Sequence, residues 1–316
     1  MSEICVSKLK VLPILKSAEG SDCGHLQNNC MSSAHLSQKI ELINISPQYF
    51  VENNKDVQNC TEIAPGMKIQ LIHSGQFQCT SCGKNAKKLF EAYCYPCFIN
   101  KASADRCVMS PEKCHYFKGT CREPLWGESF CFQPHYVYLA FTDKFKVGIT
   151  RENQIPTRWV DQGATMASAI AKVTSRFQAG IIEKLLSAII SDKSHWLKML
   201  QGGNSAPNIS DFKNEKSRIL SALRESNEFK VGSIIVPLPE HLKLDSEIEL
   251  LDGSPVVSIN FPIQCETNRK HNSLNLDKTP VIEGEVLGIK GQYLIFEHGV
   301  VNIRRHEGYI ATVKIN

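Results

Sequence analysis

Two CxxC pairs a short loop apart, Cys79-Thr80-Ser81-Cys82 and Cys94-Tyr95-Pro96-Cys97, constrain this chain more than any other stretch. A CxxC turn presents both sulfurs on one side, and two such turns supply the four soft ligands of a tetrahedral Zn²⁺. Gly83 after the first pair and Pro96 inside the second suit tight turns. The spacing is that of a zinc ribbon, with Cys79, Cys82, Cys94 and Cys97 as ligands. Four thiolates leave no open coordination position, so the ion is expected to fold the segment rather than to catalyse. Cys107, Cys114, His115, Cys121, Cys131 and His135 follow at less regular spacing. They point to a second centre on Cys107, Cys114, Cys121 and Cys131, or on three of these with a histidine. Zinc is the favoured occupant there. An iron–sulfur cluster, which wide-spaced thiolates also suit, is the alternative, and reduced thiols without metal are the third reading.

Eight of the thirteen cysteines lie between Cys79 and Cys131. Paired spacing with interleaved histidines favours coordination over disulfides and an intracellular, cytoplasmic setting. Cys5, Cys23, Cys30, Cys60 and Cys265 are scattered and read as free thiols. The run Val11-Leu12-Pro13-Ile14-Leu15 behind Lys8 and Lys10 is too short and Pro-broken for a signal peptide. No apolar run approaches the roughly 18 residues that cross a bilayer, so no membrane partner is expected. With 42% apolar and 22% charged residues and a net charge of +4, the chain reads as globular and only mildly basic.

At 316 residues it has room for several domains. The fold class expected is α+β and multidomain. Residues 1–76 form an N-terminal β-containing segment, with strands at Ile40–Ile45 and Met67–His73 and a polar irregular stretch at Ser17–Ser37. Residues 77–135 are the cysteine-rich metal segment. Residues 136–228 read β-β-α-β-α with a trailing helix: a hairpin closed at Thr142-Asp143-Lys144, a short helix after Pro156, a strand at Ile170–Arg176, and a helix from about Ala179. The apolar face of that last helix is Ile181, Ile182, Leu185, Leu186, Ile189 and Ile190. Ser210 or Asp211 is expected to cap the trailing helix. Residues 229–316 read as a small β barrel or sandwich punctuated by Gly288, Gly291, Gly299 and Gly308, completing the core by pairing with strands before Cys79.

Val137-Tyr138-Leu139, Lys146-Val147-Gly148-Ile149-Thr150, Arg158 and Glu183 in Gly180-Ile181-Ile182-Glu183 together resemble the GIY-YIG nuclease superfamily over about 65 residues. The strings CHYFKGTCREPLWGE, KVGITR, PTRWVDQGA and GIKGQYLIFEHGVVNIRRHEGY are similar to a bacterial family of unknown function. The nuclease resemblance implies that Tyr138, with Tyr136 as competitor on the same strand face, prepares the nucleophile. It implies that Arg158 holds phosphate and that Glu183 binds Mg²⁺ or Mn²⁺. The second-motif tyrosine is Lys146 here, which either donates to phosphate or marks binding kept without cleavage.

Charge offers modest support. Residues 136–180 carry six basic against three acidic side chains, and residues 77–135 eight against five; after Phe229 the balance is nine against eleven. The expected partner is nucleic acid, DNA or RNA. The first reading is a zinc-containing nucleic-acid-binding protein with divalent-metal-dependent phosphodiester hydrolysis. The second is a non-catalytic binder on the same fold, and the third a zinc-stabilised protein-interaction scaffold.

Overall fold

A computed structural model describes residues 3–6, 9–16, 22–25, 42–52, 60–190, 195–201, 206–225, 230–231, 234–235, 248–264 and 272–315. The principal strands are β1 (Lys10–Lys16), β2 (Leu42–Glu52), β3 (Lys68–Gln78), β4 (His135–Phe141), β5 (Phe145–Arg151) and β6 (Met166–Val173). They continue with β7 (Val256–Ile259), β8 (Val281–Glu285), β9 (Gly288–Lys290), β10 (Tyr293–Phe296), β11 (Gly299–Asn302) and β12 (Tyr309–Ile315). The helices used below are α1 (Tyr95–Asn100), α2 (Pro124–Cys131), α3 (Thr157–Asp161), α4 (Arg176–Leu186) and α5 (Ile209–Glu225).

The fold is mixed α/β. Its central nine-stranded sheet follows the order Asp22–His25, β1, β2, β7, β6, β4, β5, with two short strands paired to β2 and β6. Within this sheet, among the described residues, only β2 and β7 run parallel; Leu42 opposes Val256 across a wide sequence separation. The signal-peptide-like run is therefore strand β1, paired with β2 from Lys10↔Phe50 to Lys16↔Asn44.

Strand β4 is buried on both faces. Tyr136, Tyr138 and Ala140 enter one core with Ile45, Trp159 and Val257. Val137, Leu139 and Phe141 enter the other with Ile182, Leu186 and Phe212. A residue between two helix- or sheet-covered faces alternates between two apolar interiors, which is why the run reads as continuously hydrophobic.

Several boundaries differ from the sequence reading. Strand β6 begins at Met166 rather than Ile170, since Ala167, Ser168 and Ala169, poor strand formers in isolation, are held by β4 and β7 on either side. Thr174 and Ser175 then leave the strand. Ser175 caps α4 in a capping box with Gln178, so the helix starts at Arg176, not Ala179. It ends at Leu186, leaving Ile189 46% exposed. For α5 the cap is Asn208, whose Oδ1 accepts the Asp211 N–H at 2.8 Å, rather than Ser210 or Asp211.

The C-terminal strands do not make one barrel or sandwich. β7 joins the central sheet, β8 and β12 flank β3 in a second sheet, β9–β11 with Ser273–Leu274 make a third, and Lys230–Val231 pairs with Ile234–Ile235 in a fourth. Pairing with a strand before Cys79 is thus realised by β3. The irregular stretch expected at Ser17–Ser37 lies outside the described residues except for Asp22–His25, as do Cys30 and Cys265. Among the described residues no helix is long and apolar enough to cross a membrane.

Helix α5 is bolted to β6 by a buried lysine. Lys216 Nζ donates to Ser168 Oγ at 3.1 Å and to Ser254 O and Oγ at 2.8 Å. Burial lowers its pKa to about 8 from the usual 10.5. Below pH 8 the lysine is charged in both the folded and unfolded states, and the cost of burying that charge is complete. From pH 8 to 10.5 the folded protein releases the proton first, so stability rises with pH by up to about 3 kcal/mol from this residue. Urea titrations across that range should show the rise in the wild type and its loss, relative to wild type, in Lys216→Met. Parallel pH profiles for the two proteins would contradict this.

Candidate metal centre and the arginine site beside it

Strand β3 delivers Cys79 to the first knuckle. The Cys79 N–H donates to Lys84 O and the Gly83 N–H to Cys79 O, both at 2.9 Å, with Gly83 at φ +68°. The second knuckle ends in α1, which begins after Cys94 with Pro96 in its first turn. Thr80 N–H and Oγ1 both donate to Ala92 O, tying the two knuckles together. The four sulfurs lie 3.6–3.8 Å apart, and Cys82 Sγ and Cys94 Sγ are at 3.7 Å. A tetrahedron with metal–sulfur bonds of about 2.3 Å has edges of about 3.8 Å, so the spacing fits one ion.

The charge state fits as well. Burial alone would raise the Cys79 thiol, but the N–H groups of Cys82, Cys94 and Ser81 outweigh it and bring the pKa to about 6. Cys97 is pushed up to about 12 by burial and by the neighbouring sulfurs. Four thiolates this close repel unless a cation lies among them. The cluster can hold a metal ion, and a closed set of four leaves no position for substrate.

The irregular second set, Cys107, Cys114, Cys121 and Cys131, lines one cavity of about 20 Å³ together with His115. His135 lies elsewhere, in β4. Its Nδ1 is 2.7 Å from Gln133 O, its Nε2 is buried without a partner, and burial lowers its pKa to about 4.

The cysteine segment docks on the α/β module at three points. Gly180 of α4 packs so closely on Pro111 that a Cβ there would lie 2.5 Å from Pro111 Cβ. Arg176 Nη2 donates to Val108 O at 2.6 Å. The Arg151 guanidinium lies 4.4 Å from the centroid of Phe130 in α2.

Beside this seam sit the residues singled out for phosphate chemistry. Tyr138 pairs with Gly148 across the β4–β5 hairpin, and its ring covers the glycine; a Cβ at Gly148 would lie 2.5 Å from the Tyr138 hydroxyl. Only glycine leaves room for that ring. The Tyr138 hydroxyl is buried without a well-formed hydrogen bond. Its pKa is raised by burial; Glu183 adds to the rise, while Arg158 and Gln162 oppose it. Tyr138, Arg158 and Glu183 are therefore electrostatic neighbours, with Arg158 and Glu183 half-buried and Tyr138 sealed behind them. Tyr136 is engaged elsewhere, donating to Glu152 Oε1 at 3.0 Å beneath Lys172. Lys146 shares the Tyr138 face of β5 but is only 7% exposed.

Arg176 and Arg151 were legible only as charges in the sequence, yet both belong to this neighbourhood. Burial lowers the Arg176 pKa, Cys131 and Glu183 oppose that, and Arg158 and Arg151 reinforce it. Its Nε is buried without a partner. Arg151, Arg158 and Glu183 thus each lie within electrostatic reach of Arg176. A groove of about 690 Å³ along Thr165, Met166, Pro207 and Ile209 has no ionisable side chain in its lining.

Comparison with curated proteins and with solved structures returns no match. The DUF2797 family, described as a protein of unknown function, matches residues 66–311, from just before β3 into β12. That stretch holds both cysteine sets, the β4–β5 hairpin and the arginine site, and it covers 246 of the 316 residues; the chain belongs to the DUF2797 family.

Proposed function

We infer that this is a zinc-containing nucleic-acid-binding protein whose phosphate contact centres on Arg158. The observation that carries the reading is that Arg176, bonded to Val108 O of the cysteine segment, has both Arg151 and Arg158 within electrostatic reach. Like charges gathered in a partly buried place repel one another and are stabilised by an anion. A guanidinium offers phosphate a planar fork of donors. The basic balance of residues 77–180 extends this local field along the same two segments.

Fluorescence-anisotropy titrations with single- and double-stranded DNA and RNA at two salt concentrations test the reading. Binding should weaken steeply with salt. Arg158→Ala should cost about 10-fold or more in affinity and reduce the salt slope by about one, with the fold intact. No salt-sensitive binding to any of the oligonucleotides would sink the reading and favour an interaction scaffold.

A second reading, phosphodiester hydrolysis, is favoured by one specific arrangement. β4 lies between β6 and β5 in an antiparallel trio, and the following helix, α4, brings Glu183 near Tyr138 and Arg158, as in the GIY-YIG resemblance. In this reading Glu183 would hold Mg²⁺ or Mn²⁺, which supplies a Lewis acid for the phosphate oxygens. Arg158 would face the phosphate. Tyr138, sealed behind Arg158, would orient the guanidinium rather than meet the nucleophile, and buried Lys146 would sit in the same second layer. Metal-dependent cleavage lost in Glu183→Ala would support hydrolysis; binding without cleavage under any divalent cation would leave the binding reading alone.

A further inference from the structure

The two cysteine sets differ in geometry. In a tetrahedral site each sulfur stands about 2.3 Å from the centre. A water-sized sphere needs about 3.2 Å between its centre and a sulfur, so it cannot enter such a site. Cys107, Cys114, Cys121 and Cys131 instead line a cavity of about 20 Å³, the room of about one such sphere. Among the described residues no three of these four sulfurs lie within 4.8 Å of one another, whereas one tetrahedral ion needs about 3.8 Å between its sulfurs.

Donor distances agree. Among the described residues, the only set of three donor atoms within 4.8 Å that includes one of these thiols is Asp105, Cys107 and His115. That set is already closed by its own bonds. Asp105 Oδ2 meets Arg122 Nε at 2.7 Å, Asp105 Oδ1 accepts the Cys107 N–H at 3.3 Å, and His115 Nδ1 meets Thr120 Oγ1 at 2.8 Å. It braces the rim, and the four thiols remain as the ligands facing the cavity.

The geometry points to an iron–sulfur cluster held by the thiolates of Cys107, Cys114, Cys121 and Cys131. A cluster places several iron atoms between its cysteines and so needs thiolates spread around an open centre, where a single ion needs them drawn together. Tyr116, Trp126 and Phe132 give the cavity aromatic walls. Arg151 and Arg176 lie within electrostatic reach of Cys131 and would offset the negative charge of a thiolate-bound cluster. The inference is independent of nucleic-acid binding.

The test is the composition and colour of the full chain purified without oxygen. Expected are iron and acid-labile sulfide in equal amounts beside one zinc per chain, and a brown visible absorption that bleaches on reduction. Cys114→Ser and Cys121→Ser should each lose more than nine-tenths of the iron and sulfide while keeping the zinc. Because a ligand variant can misfold, the wild-type composition decides by itself. A colourless protein with two zinc ions per chain would overturn the proposal, and so would iron without sulfide. A single-zinc protein that takes up neither iron nor sulfide on reconstitution would do the same.

Discussion

Cys79→Ser should release the metal that the four-cysteine cluster can hold and unfold the segment from residue 79 to about 131, leaving the sheet around β4 in place. Between those residues the buried positions are Cys79, Cys97, Ala102, Pro111 and Gly127. Two of these five are ligands and the other three are small, so burial of apolar surface cannot hold this stretch. Structural zinc supplies folding free energy on the order of 10 kcal/mol in such small sites, far more than the two hydrogen bonds of the Cys79 knuckle. The α/β module keeps its own core of Val137, Leu139, Ile182, Leu186 and Phe212. Elemental analysis should find that metal gone, and limited proteolysis should cut first between the two knuckles. Full metal content with an unchanged melting temperature would contradict the account.

Gly180→Val should be the most damaging single change outside the metal ligands at the seam. A Cβ at this position would meet Pro111 Cβ at 2.5 Å and the Glu112 backbone N at 2.9 Å. Backbone on the far side cannot swing away as a side-chain tip can, so α4 and the Pro111–Lys113 turn must separate. Overpacking of this kind costs about 1–3 kcal/mol. Helix propensity acts the other way, since replacing a mid-helix glycine gains up to about 1 kcal/mol. The two effects have opposite signs, and the clash should win, by about 2 kcal/mol for valine and less for alanine. Denaturant titration decides between them; a stabilised Gly180→Val would mean that the seam is loose and that α4 does not carry the cysteine segment. Undocking would also break the bond from Arg176 to Val108 O, so oligonucleotide binding should fall with stability.

How much of this was legible in the sequence follows from how local each feature is. The first metal centre is encoded by residues within a few positions of one another, and CxxC spacing alone brings its four sulfurs together. The β4–β5 hairpin was readable for the same reason, through the turn at Thr142-Asp143-Lys144, and so was the apolar face of α4. The limits of β6 were not, because Ala167 and Ala169 are strand residues only by virtue of the neighbours that flank them. Nor was the parallel pair β2–β7, whose halves lie more than 200 residues apart. The division of the C-terminal strands among four sheets likewise depends on β3 and β6, far upstream.

The candidate site divides in the same way. Tyr138, Arg158 and Glu183 were picked out by motif, and Arg158 and Glu183 lie within electrostatic reach of Tyr138, but the burial that closes off the Tyr138 hydroxyl depends on long-range packing. Arg151 and Arg176 carry no motif. Arg176 sits directly after a helix cap, where a cation is not favoured by the helix dipole, and that misplacement was the one local sign that it serves a contact elsewhere. The breadth of the second cysteine set was hinted at by its irregular spacing, but only the cavity among its sulfurs distinguishes it from the first.

The central claim is that metal in the cysteine segment shapes the arginine site on the α/β module. Oligonucleotide binding measured at fixed low salt, before and after a chelator strips the metal, tests it most directly. Binding should fall at least 10-fold on metal removal and return when metal is restored, while the helical signal of α4 and α5 persists. Binding that survives complete metal loss unchanged would contradict the account.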